Sequence, residues 1–190
     1  LPGLISAIVF AHVGIGQAQI RQLLSKLYPL LQRELFIYMS IEQALTYSES
    51  LISSMLNMGL LSAEGERILP PDPSSKAYYS TWLLNRSIQE TLHRYAVVLT
   101  LLYRENTLSR EALEQKSQQF AQRLSSLHGI SSPEFFDKNV LATFISALKE
   151  NQLVESDSEG QLLHSDLSEA LRLEVIALIS PDIAQRIQQI

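Results

Sequence analysis

Apolar residues recur at helical spacing through residues 4–59 and predict three helices. The first helix ends near Gly14, and the second follows Gly16. Ser40 can cap the third while Gln43 closes a capping box, and Gly59 ends it. The expected core faces of the three helices are Leu4, Ile5, Ile8 and Val9; Ile20, Leu23, Leu24, Leu27 and Leu31; and Leu45, Leu51, Ile52, Met55 and Leu56.

A short β-hairpin and a proline-rich stretch follow the third helix. The apolar pairs Leu60-Leu61 and Ile68-Leu69 flank a turn at Gly65, which predicts a hairpin. The run of Pro70, Pro71, Pro73, Ser74 and Ser75 then predicts a stiff linker, because no helix or central strand tolerates such a run. The linker is assigned to residues 74–86.

The second half repeats the same order of elements. Its first predicted helix runs from about Ser87 to Glu105, with an apolar stripe of Val97, Val98, Leu101 and Leu102. The second runs from a cap at Ser109 to His128-Gly129. The third starts at Ser132-Pro133-Glu134. A second hairpin, Leu153-Val154 to Leu162-Leu163, turns at Gly160. An amphipathic helix over Leu167–Ile179 and a short helix starting at Ser180-Pro181-Asp182 complete the chain.

The two halves align at a constant offset of 93 residues. The paired positions are Leu4 and Val97, Ile5 and Val98, Ile8 and Leu101, Val9 and Leu102, Ile15 and Leu108, Ile20 and Leu113, Leu27 and Phe120, Leu31 and Leu124, Ile52 and Ile145, Met55 and Leu148, and Leu60 and Leu153. The stretch Tyr38–Ser50 has no match. Chance alignment of two amphipathic helical units is the alternative; we interpret the pattern as a structural duplication.

Three helices followed by a hairpin is the order of a winged-helix unit. The sequence therefore predicts a mainly α fold: two tandem three-helix units, each followed by a short β-hairpin in a winged-helix-like arrangement, plus a C-terminal helical tail. The expected domains are residues 1–73 and 87–166 for the two units, 74–86 for the linker, and 167–190 for the C-terminal helices.

Composition and charge narrow the classes of function. The chain has 190 residues, a net charge of −5 and a pI of about 5.4, so phosphate backbones and anionic lipids are poor partners. Without cysteine it has no disulfide, thiolate nucleophile or cysteine metal site. The longest apolar runs, Leu1–Ala11 and Ala96–Tyr103, fall short of the roughly 18–20 residues of a membrane-spanning helix. A start at Leu1 without methionine indicates a fragment.

A winged helix invites a DNA-binding hypothesis, which the charge pattern does not favour. No Lys or Arg occurs between Arg33 and Arg67, and the third helix lies inside that gap. Its counterpart in the second half has only Lys138 and Lys149, set among acidic residues. Because DNA binding draws on several phosphate contacts from basic side chains, we expect no nucleic-acid partner.

The four histidines show no catalytic or metal-binding spacing. His12 and His128 stand near helix ends, His93 lies within a helix, and His164 lies in the second hairpin or a loop. No pair has H-x-x-x-H or H-E-x-x-H spacing, and no serine stands in a G-x-S-x-G turn. Gly14-Ile15-Gly16 is too short for a phosphate loop and is interpreted as an interhelical turn. We expect structural histidines, no catalytic residue, no metal and no cofactor.

An aromatic cluster, Tyr78, Tyr79 and Trp82, follows the prolines. Because aromatic side chains dominate interface energetics, the cluster is a candidate docking anchor. The alternative, which we favour from the sequence, is that these side chains pack the linker onto a helix.

Several stretches of the chain carry a specific family resemblance. They are Leu1–Val9 (LPGLISAIV), Leu27–Leu31 (LYPLL), Glu34–Phe36 (ELF), Glu90–Ala96 (ETLHRYA), Ala121–Ile130 (AQRLSSLHGI) and Pro133–Lys138 (PEFFDK). Together they resemble the C-terminal region of the bacterial membrane-bound glycerol-3-phosphate 1-O-acyltransferases. The resemblance covers most of residues 1–154.

The resemblance implies a parent enzyme that moves a fatty acyl group from a CoA or acyl-carrier-protein thioester to the 1-hydroxyl of glycerol 3-phosphate. This first step of phospholipid synthesis takes place at the cytoplasmic face of the inner membrane. The family's catalytic motif is His-x-x-x-x-Asp, in which the histidine is the general base. Five positions after the four histidines stand Gln17, Val98, Pro133 and Glu169, so no functional residue of the family carries over.

We therefore expect a non-catalytic accessory domain that braces the catalytic domain or docks a partner. The expected partner is the catalytic domain of the same polypeptide, with acyl carrier protein as a second candidate and no direct membrane span. Two other hypotheses stay open: a stand-alone protein–protein interaction module of tandem winged helices, and a peripheral membrane-binding domain. For the last, no helix combines a broad apolar face with a Lys/Arg-rich opposite face.

Overall fold

The computed structural model describes residues 1–105, 107–130 and 132–189. These residues form a mainly α structure with two small antiparallel sheets, which confirms the predicted fold class. The helices are α1 (Pro2–Ala11), α2 (Gln17–Glu34), α3 (Ile41–Asn57), α4 (Lys76–Glu105), α5 (Arg110–His128), α6 (Lys138–Glu150), α7 (Asp166–Ala177) and α8 (Pro181–Ile187). The strands are β1 (Ile15–Gly16), β2 (Ser62–Glu64), β3 (Arg67–Leu69), β4 (Thr107–Leu108), β5 (Val154–Ser156) and β6 (Leu162–His164), and a 3-10 helix spans Pro133–Phe136.

Backbone contacts divide the chain into two compact units. Unit 1 comprises Leu1–Gln32 and Phe36–Gln89, and unit 2 comprises Arg33–Leu35 and Glu90–Ile190. Helix α4 thus contributes its first half to unit 1 and its second half to unit 2. Contacts do not show which part folds by itself, so the four-part domain division given above stays a prediction.

The sheet of unit 1 has the strand order β1–β3–β2. Ile68 on the central strand pairs with Ile15 of β1 and Ala63 of β2. Ile15 and Ile68 are buried, whereas all of β2 is exposed. Gly65 makes the turn of the predicted hairpin at a φ of +64°, a left-handed conformation that glycine adopts at no steric cost.

Helix α1 of unit 1 is buried on nearly every side, from Gly3 to Val9, as expected for a helix that is apolar all round. Position 3 has to be glycine because α4 passes so close. A β-carbon there would lie 2.6 Å from Ser87 Oγ and 2.8 Å from the carbonyl oxygen of Leu84. The Leu84 oxygen belongs to the backbone, which cannot move away by rotation as a side chain can.

The sheet of unit 2 repeats the arrangement in the order β4–β6–β5. Leu108 of β4 pairs with Leu162 of β6, and both side chains are buried. Val154 of β5 pairs with His164 of β6. Gly160 turns the hairpin at a φ of +79°, where the sequence placed it.

The second half of α4 is buried without interruption from residue 91 to residue 102. The predicted stripe of Val97, Val98, Leu101 and Leu102 is buried, but it is only part of the buried surface. This segment is therefore not amphipathic. It carries apolar side chains all round, together with a few polar ones, of which Thr91 and Arg94 form hydrogen bonds inside the protein.

Helices α7 and α8 belong to unit 2 and confirm the two helices predicted at the C-terminal end. Ser165 caps α7 through a capping box with Ser168. Arg172 is buried, and its guanidinium carbon lies 4.2 Å from the centre of the Tyr103 ring, a cation–π contact between α7 and α4. Of the helices in the described part of the chain, none is both long enough and apolar enough to cross a membrane.

Local capping signals determine where several helices begin. Ser40 accepts a hydrogen bond from the Gln43 N–H and donates its own N–H to Gln43 Oε1, which confirms the predicted capping box. Ser109 caps α5 through the N–H of Ala112, also as predicted. The α-helix predicted to start at Ser132 is wrong in its first turn, which is a 3-10 helix.

The physical reason for that difference is a second, stronger cap. Asp137 has an extended backbone and accepts hydrogen bonds from the N–H groups of Asn139 and Val140, so α6 begins only at Lys138. The preceding turn buries Phe135 completely. Proline and the acidic residue after Ser132 fit a 3-10 turn as well as an α-helix.

The predicted start of the fourth helix at about Ser87 is wrong, because the helix begins within residues 74–86, which were assigned to the linker. Helix α4 begins at Lys76, eleven residues before the predicted start at Ser87. Ser75 Oγ accepts the N–H of Tyr78 at 3.2 Å and so supplies a cap. No Gly or Pro occurs between Pro73 and the end of α4, so nothing in the sequence interrupts the helix once it has started.

The repeat predicted from the 93-residue offset appears in the order of elements. Each half runs helix–strand–helix–helix–strand–strand, and the two sheets have equivalent strand orders. Strands β1 and β4 were not predicted, and Ile15–Gly16 was interpreted as part of a turn. Two residues are too few to show the alternation that identifies a strand. The likeness to winged-helix proteins stays a prediction.

Replacing Gly3 with alanine should destabilise unit 1. We expect the free energy of unfolding to fall by about 1–3 kcal/mol, because overpacking forces the two helices apart. Trp82, the only tryptophan, lies in unit 1, so urea unfolding followed by its fluorescence measures the change. Gly16→Ala is the matched control: its β-carbon would have only Gln19 Oε1 nearby, at 3.6 Å. Equal losses in both variants would contradict the close-approach explanation.

Candidate functional site

The four histidines lie in, or directly after, four separate elements. His12 caps the C-terminus of α1, and His128 is the last residue of α5, as predicted. His93 is buried in α4, where its ring meets Phe135 edge to face at 6.3 Å. His164 lies in β6 and meets the Tyr103 ring in the same way at 5.6 Å. Within residues 1–105, 107–130 and 132–189, no three His, Asp or Glu side chains are placed to hold a metal ion.

A shallow depression of roughly 570 Å³ lies along the outer face of α5 in unit 2. Its lining side chains are two amides, a hydroxyl, a guanidinium and one leucine: Gln119, Gln122, Ser126, Arg123 and Leu127. These groups can donate and accept hydrogen bonds, but they include no acid or base with a pKa near neutrality.

The most distinctive polar feature of unit 2 is a buried ion pair. Arg94 of α4 binds the carboxylate of Glu34, and their side chains are only 7% and 9% exposed. Thr91 Oγ1 donates to Glu34 Oε1 at 3.2 Å and accepts from Arg94 Nη2 at 3.0 Å. We call Glu34, Thr91, Arg94 and Tyr95 the Glu34 cluster.

Tyr95 completes this cluster. Its ring stacks on Phe144 of α6 with 3.8 Å between centroids and 7° between planes. Burial, and next the negative charge of Glu34, raise the pKa of the Tyr95 hydroxyl well above its ordinary value. The hydroxyl therefore stays neutral and suits a packing role better than proton transfer.

The Glu34 cluster was missed by sequence reasoning. Glu34 and Arg94 are 60 residues apart. Both stand in stretches that carry the family resemblance, but nothing in those stretches pairs the two residues. The available signal was weak: Thr91 and Arg94 lie three residues apart inside an apolar helix, where two polar side chains require a buried partner. No local pattern indicated that the partner was Glu34.

The predicted aromatic cluster divides between the interior and the surface of unit 1. Tyr78 packs edge to face on Phe10 of α1 at 5.4 Å, as the favoured alternative predicted. Tyr79 and Trp82 instead stay 63% and 38% exposed, and their rings stack at 5.8 Å. That part of the alternative is wrong, because helical geometry turns successive residues about 100° apart.

Two further residues extend this exposed surface along α4. Leu83 is 46% exposed, and the Arg86 guanidinium lies 5.8 Å from the centre of the Trp82 ring. Positions 79, 82, 83 and 86 are three and four residues apart, so they share one helix face. We call Tyr79, Trp82, Leu83 and Arg86 the α4 aromatic surface.

Comparison with known proteins identifies relatives over the whole chain. The family described as glycerol-3-phosphate acyltransferase C-terminal region matches residues 1–157. A glycerol-3-phosphate acyltransferase from Pseudoalteromonas atlantica (strain T6c) is 63% identical over 190 residues, which are all of this chain and 23% of that protein. The protein of that name from Alteromonas mediterranea is 50% identical over 190 residues, again 23% of its length.

A more distant relative extends the same pattern. The glycerol-3-phosphate acyltransferase from Ectopseudomonas mendocina is 37% identical over 169 residues, which are 88% of this chain and 20% of that protein. The chain thus spans about a quarter or less of the curated relatives it matches. No solved structure matches the chain.

Replacing Arg94 with leucine should destabilise unit 2 strongly. The variant leaves the Glu34 carboxylate buried without its cation, which we expect to cost about 3–5 kcal/mol of unfolding free energy. Arg33→Leu is the matched control, because Arg33 pairs with Glu150 in the same unit with both side chains at least half exposed. Urea unfolding by circular dichroism compares the two; similar losses would contradict a special role for burial.

The buried Tyr95 hydroxyl should make stability fall in alkali. Above the unfolded pKa of about 10, the unfolded chain loses this proton while the folded chain keeps it, so unfolding is favoured as pH rises. The Tyr95→Phe variant keeps the Phe144 stack but removes this contribution. We expect its urea midpoint to fall less between about pH 9 and pH 11 than that of the unmodified chain. An equal fall of the urea midpoint with pH in both proteins would contradict the role of the Tyr95 hydroxyl.

Proposed function

The chain belongs to the family of glycerol-3-phosphate acyltransferase C-terminal regions, and on that premise we propose that it is a non-catalytic accessory domain that braces the catalytic domain. The parent enzyme transfers a fatty acyl group from acyl-CoA or acyl-acyl-carrier-protein to glycerol 3-phosphate. The product is 1-acylglycerol 3-phosphate, in the first step of phospholipid synthesis.

The observation that carries this proposal is the extent of the match. All 190 residues align with a glycerol-3-phosphate acyltransferase at 63% identity, yet they are only 23% of that protein. At this identity, the corresponding region of the two proteins is expected to share its fold. The proposed parent enzyme therefore has a large upstream part that can hold the reaction centre.

The chemistry of this chain supports an accessory role. The His-x-x-x-x-Asp motif expected of the acyltransferases does not occur in its sequence. Its histidines instead stand at helix ends or pack against aromatic rings. A buried network of polar side chains, such as the Glu34 cluster, suits a domain that holds a fixed shape.

The partner we propose is the catalytic domain of the same polypeptide, with acyl carrier protein as a second candidate. As part of the parent enzyme, the domain would lie at the cytoplasmic face of the bacterial inner membrane.

Separating the two parts of the parent enzyme should test this role. We expect no acylation of glycerol 3-phosphate by this chain alone, little by the upstream part alone, and restored activity when the two are mixed. Radiolabelled glycerol 3-phosphate measures turnover with acyl-CoA and with acyl-acyl-carrier-protein as donors. Restoration with only the second donor would indicate carrier docking instead of bracing.

Matched variants of the added chain separate bracing from a nonspecific effect. Arg33→Leu should restore activity as the unmodified chain does, whereas Arg94→Leu, which is expected to destabilise unit 2 strongly, should not. Full activity of the upstream part alone would rule out bracing. Turnover by this chain alone would overturn the non-catalytic assignment.

A further inference from the structure

The α4 aromatic surface is an exposed apolar feature of unit 1. Tyr79, Trp82 and Leu83 present two aromatic rings and a branched aliphatic side chain on one face of a helix. Single exposed apolar residues are ordinary, but adjacent ones that include a tryptophan and a tyrosine mark interaction sites. Tryptophan, tyrosine and arginine are also the residues most enriched among binding hot spots.

The side chains of this surface pack against one another. The Tyr79 and Trp82 rings stack with 20° between their planes, and Arg86 lies against the Trp82 ring. The opposite face of the same helix is fixed by burial of Thr81 and Ile88. Thr81 Oγ1 also donates to the carbonyl of Leu60 at 2.7 Å. A partner would therefore lose little side-chain entropy by binding here.

The charged residues of α4 indicate what kind of partner surface would bind here. Lys76 and Arg86 lie on either side of the aromatic residues along α4, and both are exposed. The chain as a whole is acidic, with a net charge of −5, so this cationic edge differs from its average surface. An apolar pocket with acidic residues at its rim would complement it.

We propose that the α4 aromatic surface is where this domain docks on the upstream part of the same polypeptide. Trp82 and Tyr79 enter an apolar pocket of that part, and acidic side chains at the rim pair with Arg86 and Lys76. The proposal rests on the proposed function, since it presupposes an upstream catalytic part for the domain to brace.

The length of the relatives supports the upstream part of the polypeptide as the partner of this surface. The matched region is 23% of each of the Pseudoalteromonas and Alteromonas relatives, so about three-quarters of such a protein is available to contact it. A covalently attached partner is present at a high effective concentration, so a small surface suffices. A membrane is the less fitting occupant, because this face offers only three apolar side chains and two cations to a lipid surface.

Cysteine labelling tests the proposal directly, because the chain has no cysteine of its own. Leu83→Cys places a thiol within the surface, and Leu127→Cys is the control, at a leucine that is 73% exposed on α5. Each variant is made in the full-length parent protein and in the 190-residue chain, with the fold verified by circular dichroism. Maleimide modification at each position is followed by peptide mass spectrometry.

We expect the full-length context to slow labelling at position 83 by about ten-fold or more, and to leave labelling at position 127 within about two-fold. Adding Arg86→Glu or Trp82→Ala to the full-length Leu83→Cys protein should restore most of the fast labelling. Equal labelling of position 83 in both contexts would overturn the proposal. Protection of the 190-residue chain by anionic lipid vesicles, without protection in detergent-solubilised full-length protein, would instead assign the surface to a membrane.

This experiment is independent of the acylation assay. If the upstream part is fully active without this chain, the bracing function fails whatever the labelling shows. If the chain is required for activity but position 83 is not protected, bracing stands and the docking surface is elsewhere.

Discussion

Residues 91–102 of α4 are buried on every side, and this constraint determines what the rest of unit 2 supplies. A helix in that position carries mostly apolar side chains, and a charged side chain there needs a buried partner of opposite charge. Arg94 is the extreme case, since an unpaired buried guanidinium would cost several kcal/mol. Glu34 supplies its counter-charge, Thr91 shares the hydrogen bonds, and Tyr95 fills the adjacent space against Phe144.

Sequence reasoning succeeded where the determining signal is local. The capping box of Ser40 and Gln43 and the hairpin turns at Gly65 and Gly160 depend on residues a few positions apart, and all were predicted. It failed where signals compete or are distant. The prolines before Ser74 dominated the interpretation of the segment that follows them, although no Gly or Pro occurs within α4 itself.

The candidate site was predictable only in outline. The aromatic residues after the prolines were identified as a possible anchor, but which of them face outward depends on the helix that contains them. Once α4 is known to begin at Lys76, helical spacing separates the inward Tyr78 from the outward Tyr79 and Trp82. The Glu34–Arg94 pair could not be predicted from helical spacing, because the two residues meet only in the tertiary structure.

Together these features support the proposal that this domain contributes a fixed shape, and not a reactive group, to a larger enzyme. Hydrogen exchange of the upstream part, followed by mass spectrometry with and without this domain attached, tests that claim most directly. The account predicts slower backbone exchange in a contiguous region of the upstream part when the domain is present, because bracing suppresses local unfolding. Identical exchange throughout the upstream part in both proteins would contradict it.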